Sequence, residues 1–212
     1  FPDPNFRRAQ WIDLNGPWEF SFDQPTLDRT IEVPFCYQSP RSGIGCAEPH
    51  SILWYRRCFD YHDDGQALLH FGAVDYQAWV YLNGQFIGCH EGGYAKFTFP
   101  VGDILRQGDN ELLVRVVDTL SVEQPRGKQS WTGSPFKCWY TAVSGIWQSV
   151  WIEPVSSGYI ESAKLTPDWM RMCAEVAITI AGEATQVRAE AFLSRDGRRK
   201  DRIGTLQADV VQ

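Results

Sequence analysis

Tyr140-Thr-Ala-Val-Ser-Gly-Ile-Trp-Gln-Ser-Val-Trp-Ile-Glu-Pro154 is the stretch that decides the fold. Ser144-Gly145 is a chain breaker. Ile146, Trp147, Val150, Trp151 and Ile152 then supply β-branched and aromatic side chains around polar Gln148 and Ser149. Such a pattern predicts a turn running into a strand. Working outward, the same kind of segment recurs along the chain. Val80, Leu82, Phe86 and Ile87 flank Asn83-Gly84, and an Asn-Gly step between apolar runs predicts a two-residue hairpin, because both residues tolerate positive φ. Leu112, Val114 and Val116 alternate with Leu113, Arg115 and Val117, which predicts a strand with one fully buried face and one mixed face. No window of twelve residues reads as an amphipathic helix. Asp103-Ile-Leu-Arg106 is the one place where a single helical turn is predicted. Many short strands separated by turn residues imply an all-β sandwich of jelly-roll topology.

The strand segments also carry a resemblance. Leu14-Asn-Gly-Pro-Trp-Glu-Phe20, Ile31-Glu-Val-Pro34, Trp54-Tyr-Arg-Arg57 and Leu69-His-Phe-Gly-Ala-Val-Asp75 come first. Val80-Tyr-Leu-Asn-Gly-Gln-Phe-Ile-Gly88, His90-Glu-Gly-Gly-Tyr94 and Gly108-Asp-Asn-Glu-Leu-Leu-Val-Arg-Val-Val-Asp118 follow. With the segment ending at Pro154, they resemble, in order, the N-terminal sugar-binding domain of family 2 glycoside hydrolases. That group includes many β-galactosidases, β-glucuronidases and β-mannosidases. The resemblance implies a galactose-binding-like jelly roll over residues 1–155, then the start of an immunoglobulin-like sandwich over 156–212. Tyr159–Leu165, Ala174–Ile180, Val187–Leu193 and Ile203–Val211 read as strands of the second part, with a turn at Asp196-Gly197. An immunoglobulin-like domain needs about seven strands and roughly 100 residues, so the second domain is expected to be truncated. An incomplete sandwich exposes edges and apolar faces, so this tail is expected to be poorly ordered or to pair with another copy as a homo-oligomer.

Composition excludes several function classes. The chain has 212 residues and a formal net charge of −6, which argues against nucleic acid or an anionic membrane as partner. The basic run Arg195 to Arg202 is interrupted by Asp196 and Asp201 and reads as a solvated loop. No apolar run approaches the roughly 20 residues that cross a bilayer. No signal peptide is visible, although the chain starts at Phe1 rather than Met. The six cysteines, at 36, 46, 58, 89, 138 and 173, form no CxxC pair. Reduced thiols in a cytoplasmic protein are expected, with disulfides in an exported enzyme as the rival. His50, His62, His70 and His90 share no metal-ligand spacing, so neither metal nor other cofactor is expected.

Retaining glycoside hydrolysis needs two carboxylates about 5 Å apart. In the resembling family both sit on a barrel downstream, and the acid/base is a Glu directly after an Asn. Asn110-Glu111 has that dipeptide but opens a sandwich strand, so it reads as a false match and no catalytic residue is expected in this chain. The expected role is to support the barrel and to shape a β-glycoside pocket. Residues 119–141 are the candidates, being a long polar and aromatic stretch of the kind that is usually functional. Arg126, Lys128, Gln129, Trp131, Trp139 and Tyr140 offer hydrogen-bond donors and flat rings, the groups that recognise sugars. The bland alternative is that Trp139 and Tyr140 pack beneath the loop. In many relatives an Asp stands six residues before the Gly of Ser-Gly-Ile-Trp and reaches the substrate. Here that position is Trp139, so no particular sugar carries over. The alternative function is a stand-alone, lectin-like carbohydrate-binding module. Glu91 reads as structural support, and Asp75 and Asp118 as caps on turns or strand ends.

Overall fold

The computed structural model describes residues 8, 10–119, 121–184, 186–195 and 198–209. The chain divides into two compact units, Phe1–Pro154 and Val155–Gln212. The described residues contain no α-helix and are dominated by antiparallel strands, as the alternating sequence demands.

In the first unit the strands are β1 (Ile12–Asp13), β2 (Gly16–Phe22), β3 (Arg29–Val33), β4 (Ile52–Tyr61), β5 (Gln66–Phe71) and β6 (Val74–Asp75). They continue with β7 (Gln77–Leu82), β8 (Gln85–Glu91), β9 (Phe97–Pro100), β10 (Gly108–Val117), β11 (Gly145–Ile146) and β12 (Val150–Val155). Six form one sheet in the order β3-β2-β4-β10-β7-β8, and four form a second in the order β1-β12-β5-β9. Trp18, Phe20, Tyr55, Val80, Leu112 and Val114 from the first sheet share one core with Leu69, Phe71, Val150 and Ile152 from the second. Two sheets closed on one core make a sandwich, the galactose-binding-like architecture. Burying one large apolar side chain contributes about 1.5–3 kcal/mol, so this shared core dominates the unit's stability.

The predicted hairpin forms as expected. Asn83 (φ 53°) and Gly84 (φ 79°) turn β7 into β8. Asn110, Leu112, Val114 and Val116 are buried along β10 while the intervening residues are half-buried. The pairing of β7 with β8 slips by one residue after Val80, beside Gly88. A Cβ on Gly88 would stand 2.4 Å from the Phe99 ring, so glycine is required there. The predicted helical turn at 103–106 is instead a turn over 102–104, in which Ile104 N and Leu105 N both donate to Val101 O. Three to four residues are too few to sustain a helix without tertiary support. A short 3-10 turn at Pro40–Ser42 was not anticipated. Its signals are the Ser39 cap, Pro40 at the first position and Gly43 in the left-handed region.

The deciding stretch is explained residue by residue. Gly145 has φ 87°, and a Cβ there would lie 1.9 Å from the Tyr55 hydroxyl and 3.0 Å from Leu53 Cδ1. Ser144 donates its hydroxyl to Asp118. Ile146 is fully buried, and Trp147 Nε1–H donates to Gly93 O at 2.8 Å. β12 then enters the four-stranded sheet between β1 and β5. Asn15 clamps that junction, donating Nδ2–H to Ser149 Oγ at 3.1 Å and accepting from Val150 N at 3.1 Å.

In the second unit, β13 (Gly158–Asp168) pairs with β14 (Cys173–Gly182), and β15 (Gln186–Arg195) pairs with β16 (Arg198–Asp209). These strands contain the segments predicted from the sequence, apart from the last residues near Val211. The Asp196-Gly197 turn, like Val211, lies outside the described residues. Trp169, Met170 and Met172 stand exposed between β13 and β14. All six cysteines are unpaired.

Candidate functional site

The long loop after β10 is built on buried polar residues. Asp118 is 5% exposed and receives three side-chain donors. These are the Ser144 hydroxyl, Gln124 Nε2 at 2.5 Å and the Arg126 guanidinium at 3.5 Å. Arg126 also donates to Thr119 O. A buried guanidinium beside a buried carboxylate is stable only as a pair, so this contact fixes the loop's first turn. Arg126 therefore points inward.

Gln129 makes the second anchor. Its Nε2 donates to Asp75 Oδ2 at 2.7 Å and to the Tyr94 hydroxyl at 3.0 Å, and its Oε1 accepts from Val143 N at 2.7 Å. The Tyr94 hydroxyl donates in turn to Arg126 O at 2.9 Å. Asp75 is 3% exposed. Burial pushes its carboxyl up to about 6, with the nearby Asp118 charge adding to the rise, against the lowering effect of the Gln129 bond and of Arg126. Gly93 makes room for this arrangement, since a Cβ there would stand 2.5 Å from Asp75 Oδ1. Asp75 and Asp118 were expected to cap turns or strand ends. They instead bind side chains of the loop, because both sit on strand ends that face it. Their signal in the sequence was only their place in the segments ending at 75 and 118.

Between these anchors the loop shows its outer surface. Lys128 is exposed, and its carbonyl accepts from Tyr140 N at 2.7 Å. Tyr140 O accepts from Ser130 N at 2.8 Å, which lays the two arms of the loop side by side. Phe136 and Trp139 exchange backbone hydrogen bonds around a tight turn. Trp131 packs edge-on against both rings, with centroids 4.7 Å from Trp139 and 5.3 Å from Phe136. Trp131 keeps 38% exposure and Tyr140 keeps 65%. Of the six residues singled out in the sequence, Lys128 and Tyr140 thus face outward. Trp131 and Trp139 form one aromatic knob, and Gln129 and Arg126 hold the loop from within.

Asn110, from the misleading Asn-Glu dipeptide, is a structural knot. Its Nδ2 donates to Arg106 O and Gly108 O, both at 2.8 Å, and its Oδ1 accepts from Asn83 Nδ2 at 2.8 Å and Arg106 N at 2.9 Å. Glu91 receives Gln77 Nε2 at 2.7 Å and the Tyr76 hydroxyl at 3.3 Å, tying the end of β8 to β7.

Residues 49–148, which span most of the sandwich, match the family described as glycosyl hydrolase 2 galactose-binding domain-like. The chain is 28% identical over 181 residues to a beta-galactosidase of Thermoanaerobacter pseudethanolicus, covering 81% of this chain and 23% of the relative. It is 29% identical over 114 residues to a putative beta-glucuronidase of Formosa agariphila, covering 53% of this chain and 13% of the relative. The chain thus spans about a quarter or less of the curated relatives it matches. Among solved structures, the beta-glucuronidase of Bifidobacterium dentium complexed with coumarin-3-O-glucuronide superimposes with a TM-score of 0.75. The identity is 21%, with 100% of this chain and 42% of that one covered. That likeness speaks to the fold.

Proposed function

We propose that this chain is a non-catalytic, N-terminal portion of a family 2 glycoside hydrolase. The parent protein hydrolyses a terminal β-glycosidic bond with retention, using two carboxylates on a barrel that residues 1–212 do not include. The jelly roll supports that barrel, and the loop over 119–141 forms one wall of the sugar pocket. The observation that carries this reading is the loop's construction. Buried Asp118 and Asp75 hold its inner side through Arg126 and Gln129, while Lys128 and Tyr140 face outward. Preorganised donors and rings of this kind bind sugars at little ordering cost. The named relatives, a beta-galactosidase and a putative beta-glucuronidase, agree in reaction type and differ in sugar.

The test is steady-state kinetics of the full-length protein carrying Lys128→Ala. A rise in KM or a fall in kcat by about tenfold is expected, the loss of roughly one charge-assisted hydrogen bond. Unchanged kinetics would remove Lys128 from the pocket.

A second reading, a stand-alone sugar-binding module, is favoured by the exposure of Trp131 and Tyr140. Titration of this chain with β-linked disaccharides, followed by tryptophan fluorescence, separates the two. Saturable millimolar binding supports the module. A flat titration supports a wall that needs the barrel to complete it.

A further inference from the structure

We infer that Cys46, Glu48 and His50 form a binding site for one Zn²⁺ ion, beside the loop but independent of any sugar. Among the described residues, these three side chains bring a thiol sulfur, a carboxylate oxygen and a ring nitrogen within 4.8 Å of one another. Tetrahedral zinc with bonds of about 2.0–2.3 Å holds its ligands roughly 3.3–3.8 Å apart, so modest side-chain rotation closes the set. The three stand at alternate positions of an irregular segment between the Pro40–Ser42 turn and β4, and the chain bends at Glu48.

The segment is already held in shape. Tyr37, 1% exposed, accepts Cys46 N at its carbonyl (3.2 Å) and His50 N at its hydroxyl (3.1 Å), and donates that hydroxyl to Glu48 O at 3.1 Å. The His50 ring is stacked on Phe22, with centroids 3.7 Å apart and planes 16° apart. Asp23 Oδ2 lies 3.4 Å from His50 Nδ1 and adds a second carboxylate beside the ring. Ring orientation fixed by packing and by a neighbouring carboxylate is what metal-binding histidines require.

The donor set selects the ion. A thiolate with an imidazole favours Zn²⁺ over Mg²⁺ or Ca²⁺, which prefer oxygen. Three protein ligands leave a fourth position for water. His50 also lines a surface pocket with Tyr37, Asp118, Thr119 and Ser144. A bound ion would therefore brace the wall against which the loop's Asp118 anchor is set.

The experiment uses the intact chain, stripped with a chelator and kept reduced. Zn²⁺ is titrated against a chromophoric competitor, and Co²⁺ is substituted to read its thiolate charge-transfer absorption. One ion per chain and a clear charge-transfer band are expected, with Mg²⁺ unable to compete. Cys46→Ser, which leaves five other thiols in place, should abolish the band and weaken Zn²⁺ binding by at least about 100-fold, more than losing an outer partner costs. His50→Gln should do the same. Asp23→Asn should weaken binding only about tenfold. Circular dichroism of each variant establishes that it folds. Absence of stoichiometric binding overturns the inference. So does a band that persists in Cys46→Ser, because another cysteine would then hold the metal.

Discussion

Asp75→Asn is the substitution whose outcome the structure specifies most closely. The wild-type carboxyl titrates at about 6, against an ordinary value of 3.8, because burial disfavours its charge. Its folded-state value is raised, so the protonated form is the one the fold prefers. Asp75 is therefore neutral in its effect at pH below about 4, and its cost develops as pH rises from about 4 to 6. About two units correspond to a cost on the order of 3 kcal/mol above pH 7. Asparagine has the same shape, keeps an oxygen to accept from Gln129 Nε2, and never ionises. The stability difference between Asp75→Asn and wild type should thus be small near pH 4 and reach up to about 3 kcal/mol in the variant's favour at pH 8. Urea unfolding followed by tryptophan fluorescence at several pH values reads this difference directly, and the changes at other groups cancel in it. A difference that stays constant between pH 4 and 8 would refute the assignment of a buried, destabilising charge to Asp75.

Glu153 should show the opposite sign. Burial alone would raise its carboxyl, but the contact with His70, the Trp151 Nε1–H bond at 2.9 Å and the Arg8 pair at 3.1 Å hold it down at about 2. The stabilisation, on the order of 3 kcal/mol, is full above about pH 4.5 and lost as pH falls through 2, so Glu153→Gln should destabilise at pH 7 and much less at pH 2.5. An equal loss at both pH values would count against that pairing. Gly145→Ala should cost about 2–4 kcal/mol by denaturant unfolding, combining a positive-φ penalty with overpacking against Tyr55, and a loss under 1 kcal/mol would refute the clash. Asn110→Ala removes four side-chain hydrogen bonds, to Asn83, Arg106 and Gly108, and should cost about 2–4 kcal/mol. If Asn110 were a catalytic remnant instead, the variant would keep its stability.

Periodicity was legible wherever one face of a strand is buried and the other wet. β10 and the Asn83-Gly84 hairpin followed directly from alternation and turn chemistry. The 3-10 turn at Pro40–Ser42 was missed because three residues carry no period, only caps. The loop's role was legible in its length and composition but its wiring was not. Arg126 reads in sequence as a free donor, yet Asp118, eight residues earlier, neutralises it in the interior. Asp75 meets Gln129 across 54 positions of chain, a separation at which local pattern carries no information. The Cys46, Glu48 and His50 cluster is not legible in the spacing of histidines, because its mixed side chains are brought together by an irregular segment that bends at Glu48.

The placing of β12 has a temporal consequence. The last strand of the sandwich sits inside its four-stranded sheet and is locked to Asn15, whose partner Ser149 lies 134 positions further along the chain. During synthesis, the first strand must wait for nearly the whole unit to emerge before its neighbour exists. Until then Leu69, Phe71 and their neighbours in β5 have no adjoining strand on that side. Long-range pairing of this kind folds slowly and leaves apolar surface open to association on the ribosome. A cell making this protein should depend on holding chaperones for that interval.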